Sequence, residues 1–95
     1  MDTVEFSQHL TRIGKDLMRV AENAEAAADC DIEGAERDAA IEQARAKLAD
    51  YDGVMARIES KVLQAQFAQE YEFYIDLIRE SLDKVDAESR AGNDR

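Results

Sequence analysis

The side chains best spaced for chemistry lie in the stretch Asp29-Cys30-Asp31-Ile32-Glu33-Gly34. Asp29, Asp31, Glu33 and Gly34 match the first, third, fifth and sixth places of a helix-loop-helix calcium site, where alternate carboxylates converge on a cation and a glycine makes the sharp turn. The twelfth place, which must supply a bidentate carboxylate, is Ala40; the ninth is the cation Arg37, and Glu42 comes too late to substitute. The spacing therefore predicts an acidic turn, with carboxylates that favour the start of the following helix, and no metal site. His9 is the sole histidine, which excludes the paired Glu-x-x-His motifs of a di-iron bundle. One helical turn from Glu5, it is expected to face solvent. Cys30 is the sole cysteine, so no internal disulfide can form. Asp29 and Asp31 beside it oppose a thiolate by like-charge repulsion, and it reads as a surface thiol. There is no glycine-rich phosphate loop, no zinc spacing and no Ser-His-Asp set that can be assembled. The expectation is a chain that is not an enzyme, with no catalytic, cofactor-binding or metal-ligating residues and no cofactor.

The elements that carry these residues are helices. The 95 residues include no proline and only four glycines, and the abundant Ala, Glu, Leu, Lys, Arg and Gln are good helix formers. The net charge of -10 is uneven: residues 21 to 60 hold eleven acids against four bases, residues 1 to 20 three against three, and residues 61 to 95 eight against five. Such a field repels nucleic acid and anionic membrane and favours basic partners. Glu22, Glu25, Glu36 and Glu42 are the candidate acidic surface. Apolar runs such as Ala26-Ala27-Ala28 fall far short of the ~18 residues of a membrane span. The N-terminus lacks the basic-then-apolar layout of a secretory signal, so a cytoplasmic protein is expected.

Apolar residues at Phe6, Leu10, Ile13, Leu17, Val20, Ala24 and Ala27 alternate steps of four and three, a coiled-coil-like seam. It predicts a helix over 3–29, with Asp2 and Glu5 as a capping box, and a turn over 30–35. The alternation resumes at Ile41, Ala44, Leu48, Tyr51, Met55, Ile58, Val62 and Ala65. It passes through Gly53 without a change of phase, which favours one continuous helix over 36–87; a break at Asp50 to Gly53, giving three helices, is the alternative. Facing pairs of an antiparallel hairpin, from Ala27 with Ile41 and Ala24 with Ala44 out to Phe6 with Val62, are symmetric about Gly34, inside the turn. The fold class is therefore all-α: an antiparallel helical hairpin whose second helix is much the longer, roughly 80 Å against roughly 40 Å.

The overhang carries an apolar stripe at Ala68, Tyr71, Ile75, Ile78, Leu82 and Val85, entered by a step of three after Ala65 that marks a stammer. Phe67, Phe73, Tyr74 and Leu77 lie outside it. Leaving this set in water would forfeit on the order of 10 kcal/mol, comparable with an association cost of about 4–15 kcal/mol. A homodimer closing a four-helix arrangement through the overhangs is thus expected, with residues 1–88 one helical domain and 89–95 a disordered tail. Phe67, Tyr71, Phe73, Tyr74, Leu77, Ile78 and Leu82 are the candidate interface. Functionally the sequence points to a small acidic protein-interaction module (adaptor, chaperone or inhibitor) acting by helix-to-helix contact. The partner is a protein, basic where the acidic face is the contact, with no direct nucleic-acid or membrane binding. Two alternatives remain open: an acidic nucleic-acid mimic that inhibits a DNA- or RNA-binding protein, and an exported or structural helical-hairpin assembly component.

Overall fold

The computed structural model describes the backbone of residues 3–93 and the side chains of residues 4–88. Four helices follow one another: α1 (Thr3–Gly14), α2 (Leu17–Ala28), α3 (Gly34–Arg57) and α4 (Lys61–Asn93). No strand occurs among the described residues, and α2, α3 and α4 pack together in an elongated body of 49 × 23 × 17 Å. Asp2 of the capping box lies outside the described residues. So do Asp94 and Arg95, whereas helix continues to Asn93 through most of the stretch expected to be a tail.

The first correction is that the seam of the first third spans two helices. Its phase is unbroken, but the backbone turns at Asp16, which is left-handed (φ 59). Carbonyls in the last turn of α1 and at the break accept side-chain donors from other helices. Lys47 Nζ donates to Lys15 O at 3.0 Å and Arg12 O at 3.3 Å, and Tyr71 Oη donates to Leu10 O at 2.7 Å. Gly14 is required by that last bond, because a Cβ there would sit 2.7 Å from Tyr71 Oη. Gly14→Ala is therefore expected to destabilise by about 0.5–1 kcal/mol despite its better helix propensity. In a Tyr71→Phe background the same change should cost less, since only the ring contacts at 3.2 and 3.3 Å remain; additive effects in urea unfolding would contradict the contact.

At the acidic turn α2 ends in a Schellman motif. Asp31 N–H donates to Ala26 O at 2.9 Å and Cys30 N–H to Ala27 O at 3.3 Å, with Cys30 left-handed (φ 62) at the place glycine usually takes. The exposed thiol thus sits on a residue held in a conformation that costs an L side chain roughly 1–2 kcal/mol. Cys30→Gly should raise stability by about 0.5–1 kcal/mol, the gain reduced by the greater freedom of glycine in the unfolded chain. A loss of stability would show that Cys30 is not left-handed in solution.

The second correction concerns the long helix over 36–87, which is two helices. Its interruption is neither absent nor at Asp50 to Gly53: Gly53 lies inside α3, and the chain turns extended at Ile58 (φ -81, ψ 117). Local chemistry accounts for the site. Ser60 Oγ accepts the Leu63 N–H at 3.3 Å, an N-cap for α4. Gln64 Nε2 donates to Ile58 O at 2.7 Å and Met55 O at 3.3 Å, covering the open end of α3. Beyond the turn α4 doubles back along α3, with Arg79 on Asp52 and Arg45 on Asp86 at 2.8 Å each and Arg37 on Glu88 at 3.4 Å.

The residues assigned to an overhang accordingly fill this chain's own core. Ile75, Ile78, Leu82 and Val85 are buried, as are Ile13, Leu17, Val20, Ala24, Ala27, Ala44, Tyr51 and Ile58. Phe67, off the expected stripe, is 1% exposed and the largest fully buried side chain among the described residues. Its ring stacks on Tyr51 (centroids 5.1 Å, planes 14° apart), meets Tyr71 edge-on at 5.3 Å and lies 6.1 Å from Phe6. Val62, expected to face Phe6, is 67% exposed. Phe6 packs on Phe67 instead.

Candidate functional site

Once α4 folds back, its outer face is what a partner could reach. Of the candidate interface, Phe67, Ile78 and Leu82 are buried and Tyr71, Tyr74 and Leu77 are partly buried against the core. Phe73 alone points outward, 74% exposed. Its ring meets that of Tyr74 edge-on, centroids 5.2 Å apart and planes at 86°, so an aromatic anchored in the core holds an aromatic in solvent. Glu70, Glu72, Asp76 and Glu80 around it are exposed. Alongside runs a cleft of about 210 Å³ between α2 and α4, lined by Glu25, Ala28, Leu77, Glu80 and the Asp29–Lys84 ion pair. That pair at the end of α2 and the approach of Tyr71 to Gly14, just before α2, set α2 and α4 parallel.

The candidate acidic residues Glu22, Glu25, Glu36 and Glu42 are all exposed, two on α2 and two on α3. A second, larger cleft of about 410 Å³ between α1, α2 and α3 has the opposite sign, lined by Arg12, Lys15, Arg19 and Lys47 with Asp16 and Asp50. Three of its cations are engaged: Arg12 with Asp50 through Nε (2.9 Å) and a terminal nitrogen (2.7 Å), Arg19 with Asp16 at 3.3 Å, and Lys47 with the α1 carbonyls. The Arg12 guanidinium bonded to Asp50 holds that carboxyl below the usual carboxylate range. This cleft escaped the sequence reading, although Arg12, Lys15 and Arg19 stand at helical spacing.

His9 corrects a further expectation. It is 8% exposed rather than solvent-facing, with Nε2 3.5 Å from Glu5 and no hydrogen-bond partner at either ring nitrogen. The helical face that carries Phe6 and Ile13 also carries His9 into the α1–α3 contact. Burial pushes the phenols of Tyr51 and Tyr71 above their ordinary range, so both stay neutral. Among the described residues no three His, Cys, Asp or Glu side chains are grouped to hold a metal ion, and no helix is long and apolar enough to cross a membrane.

Comparison with known protein families, with curated proteins and with solved structures finds no match.

Proposed function

We propose that this chain is a non-enzymatic protein-interaction module that presents the outer face of α4, centred on Phe73, to another protein. The observation that supports it most is the exposure of Phe73 at 74% beside a Tyr74 packed on the core. An exposed aromatic with its neighbour already fixed loses little conformational entropy on docking, and such side chains contribute disproportionately to interface energy. The helices packed against α4, namely α2 and α3, act as a scaffold. A homodimer through an α4 overhang would need Ile78 and Leu82 outside, and both are spent on the core. The partner is therefore taken to be a different protein.

The reading is tested by affinity capture from the source cells with the chain and two variants as bait. A specific partner should be retained by wild type and by Glu22→Gln, Glu25→Gln, Glu36→Gln, Glu42→Gln together, and lost with Phe73→Ala. The exposed carboxylates of α2 and α3 favour one second reading, an acidic mimic of nucleic acid that occupies a basic protein. The reverse pattern, loss with the Gln set and retention with Phe73→Ala, would replace the first reading by that one.

A further inference from the structure

The surface around Phe73 has a sign as well as an apolar centre. Resting on the reading of α4 as the contact face, we propose that its occupant is a cationic amphipathic helix of another protein, seated along the α2–α4 cleft with an apolar ridge on Phe73 and Leu77.

The negative charge is concentrated locally. Along α4 there is no Lys or Arg from Val62 to Ile78, while Glu70, Glu72 and Asp76 lie within one turn of Phe73 and Glu80 lies two turns on. The cations nearest in sequence are committed: Arg79 binds Asp52 and Asp76, and Lys84 binds Asp29. Glu70, Glu72 and Glu80 thus stand around an apolar knob, with Asp76 already paired to Arg79 and no free cation on that stretch. A complementary segment carries apolar residues every three or four positions, flanked by Lys or Arg. The cleft favours a helix over an extended strand, since no sheet edge exists here to pair with it and the groove follows two parallel helices. A second copy would bring the same carboxylates and a further charge of -10 to the contact, and like charges set against each other oppose association. Anionic lipid is repelled for the same reason.

The probe is a synthetic amphipathic peptide of Leu and Lys, about five helical turns long, with a charge-reversed peptide of Leu and Glu as its partner control. Binding to the full chain is followed by titration calorimetry at 0.15 M salt. The Lys peptide should bind and the Glu peptide should not. Phe73→Ala should weaken binding at least tenfold, and Glu70→Gln, Glu72→Gln, Glu80→Gln together at least tenfold. Glu36→Gln, Asp38→Asn, Glu42→Gln removes equal charge from α3 and should change affinity less than twofold. Far-ultraviolet circular dichroism verifies that each variant is folded.

Equal losses from the two neutralised sets, with Phe73→Ala silent, would mean diffuse attraction to any acidic surface and would overturn the proposal. Phe73-dependent binding of the Glu peptide would overturn the partner's charge while leaving the contact face in place. No binding of either peptide overturns the helix assignment, whereas the capture experiment still decides whether α4 is the contact face. A doubled mass without peptide that Phe73→Ala abolishes would make the occupant a second copy.

Discussion

Replacing Ile78 by Asp should leave the chain largely unfolded at 25 °C. Ile78 is 0% exposed in the core that α4 shares with α2 and α3. An aspartate there must either lose its charge or hold it without a partner, at a cost above about 4 kcal/mol. A domain of this size has only about 5–15 kcal/mol to lose. Far-ultraviolet circular dichroism should show loss of most helix signal, because most helical stability in a folded protein comes from packing of an amphipathic face rather than from the isolated helix. Phe73→Asp is the control, five residues away on the same helix: it should shift stability within about ±0.5 kcal/mol. If Ile78→Asp instead keeps its helix and only changes oligomeric mass, Ile78 belongs to a contact between chains.

Phe67→Ala is expected to cost about 3–5 kcal/mol, the range for removing a buried phenyl ring and leaving its cavity. The ring is enclosed by Phe6 of α1, Tyr51 of α3 and Tyr71 one turn along α4, and their tilted and stacked contacts add to the transfer term. The rigid helices on either side limit collapse around the void, so the upper half of the range is expected. Urea unfolding should show a lower midpoint at an unchanged slope. A cost below about 1 kcal/mol would place Phe67 at the surface.

Much of this core was legible in the sequence because period alone sorts helix faces. Ile13, Leu17, Val20, Ala24 and Ala27 on the first stripe, and Ile75, Ile78, Leu82 and Val85 on the last, are buried as their spacing predicts. What period cannot see is a turn between helices whose stripes happen to stay in phase. Asp16 breaks the first stripe without shifting it, and the side chains that hold the chain there, Lys47 on Arg12 O and Lys15 O and Tyr71 on Leu10 O, lie far away in sequence. At Ile58 to Ser60 a signal was present. The step of three between Ala65 and Ala68 marks a new phase, which starts with Phe67 once Ser60 has capped a fresh helix. Extending the old stripe through Val62 and Ala65 put both inside, where both are exposed, and put Phe67 outside.

The same extrapolation shaped the candidate surface. An 80 Å helix needs a second chain, and the seven apolar residues looked like one interface. With α4 folded back they divide by depth: Phe67, Ile78 and Leu82 in the core, Tyr71, Tyr74 and Leu77 at its margin, Phe73 in solvent. The acidic candidates needed no tertiary information, since carboxylates off an apolar stripe are exposed in almost any packing. His9 failed for the converse reason. Its exposure depended on whether α3 would cover that side of α1, and a single helix does not specify which of its marginal faces meets a neighbour.

The fold-back of α4 onto α2 within one chain is what buries Phe67 and leaves Phe73 as the aromatic that faces solvent, so a distance between those two helices tests the account most directly. Spin labels at Glu25→Cys and Glu80→Cys, in a Cys30→Ser background, report it by pulsed dipolar spectroscopy on labelled chain diluted in excess unlabelled chain. Both positions line the α2–α4 cleft, and with helix axes about 8–10 Å apart the labels should lie about 10–20 Å from each other. A continuous second helix would carry residue 80 roughly 55 Å beyond the point opposite residue 25. A distribution centred near that longer distance would contradict the fold and the contact face derived from it.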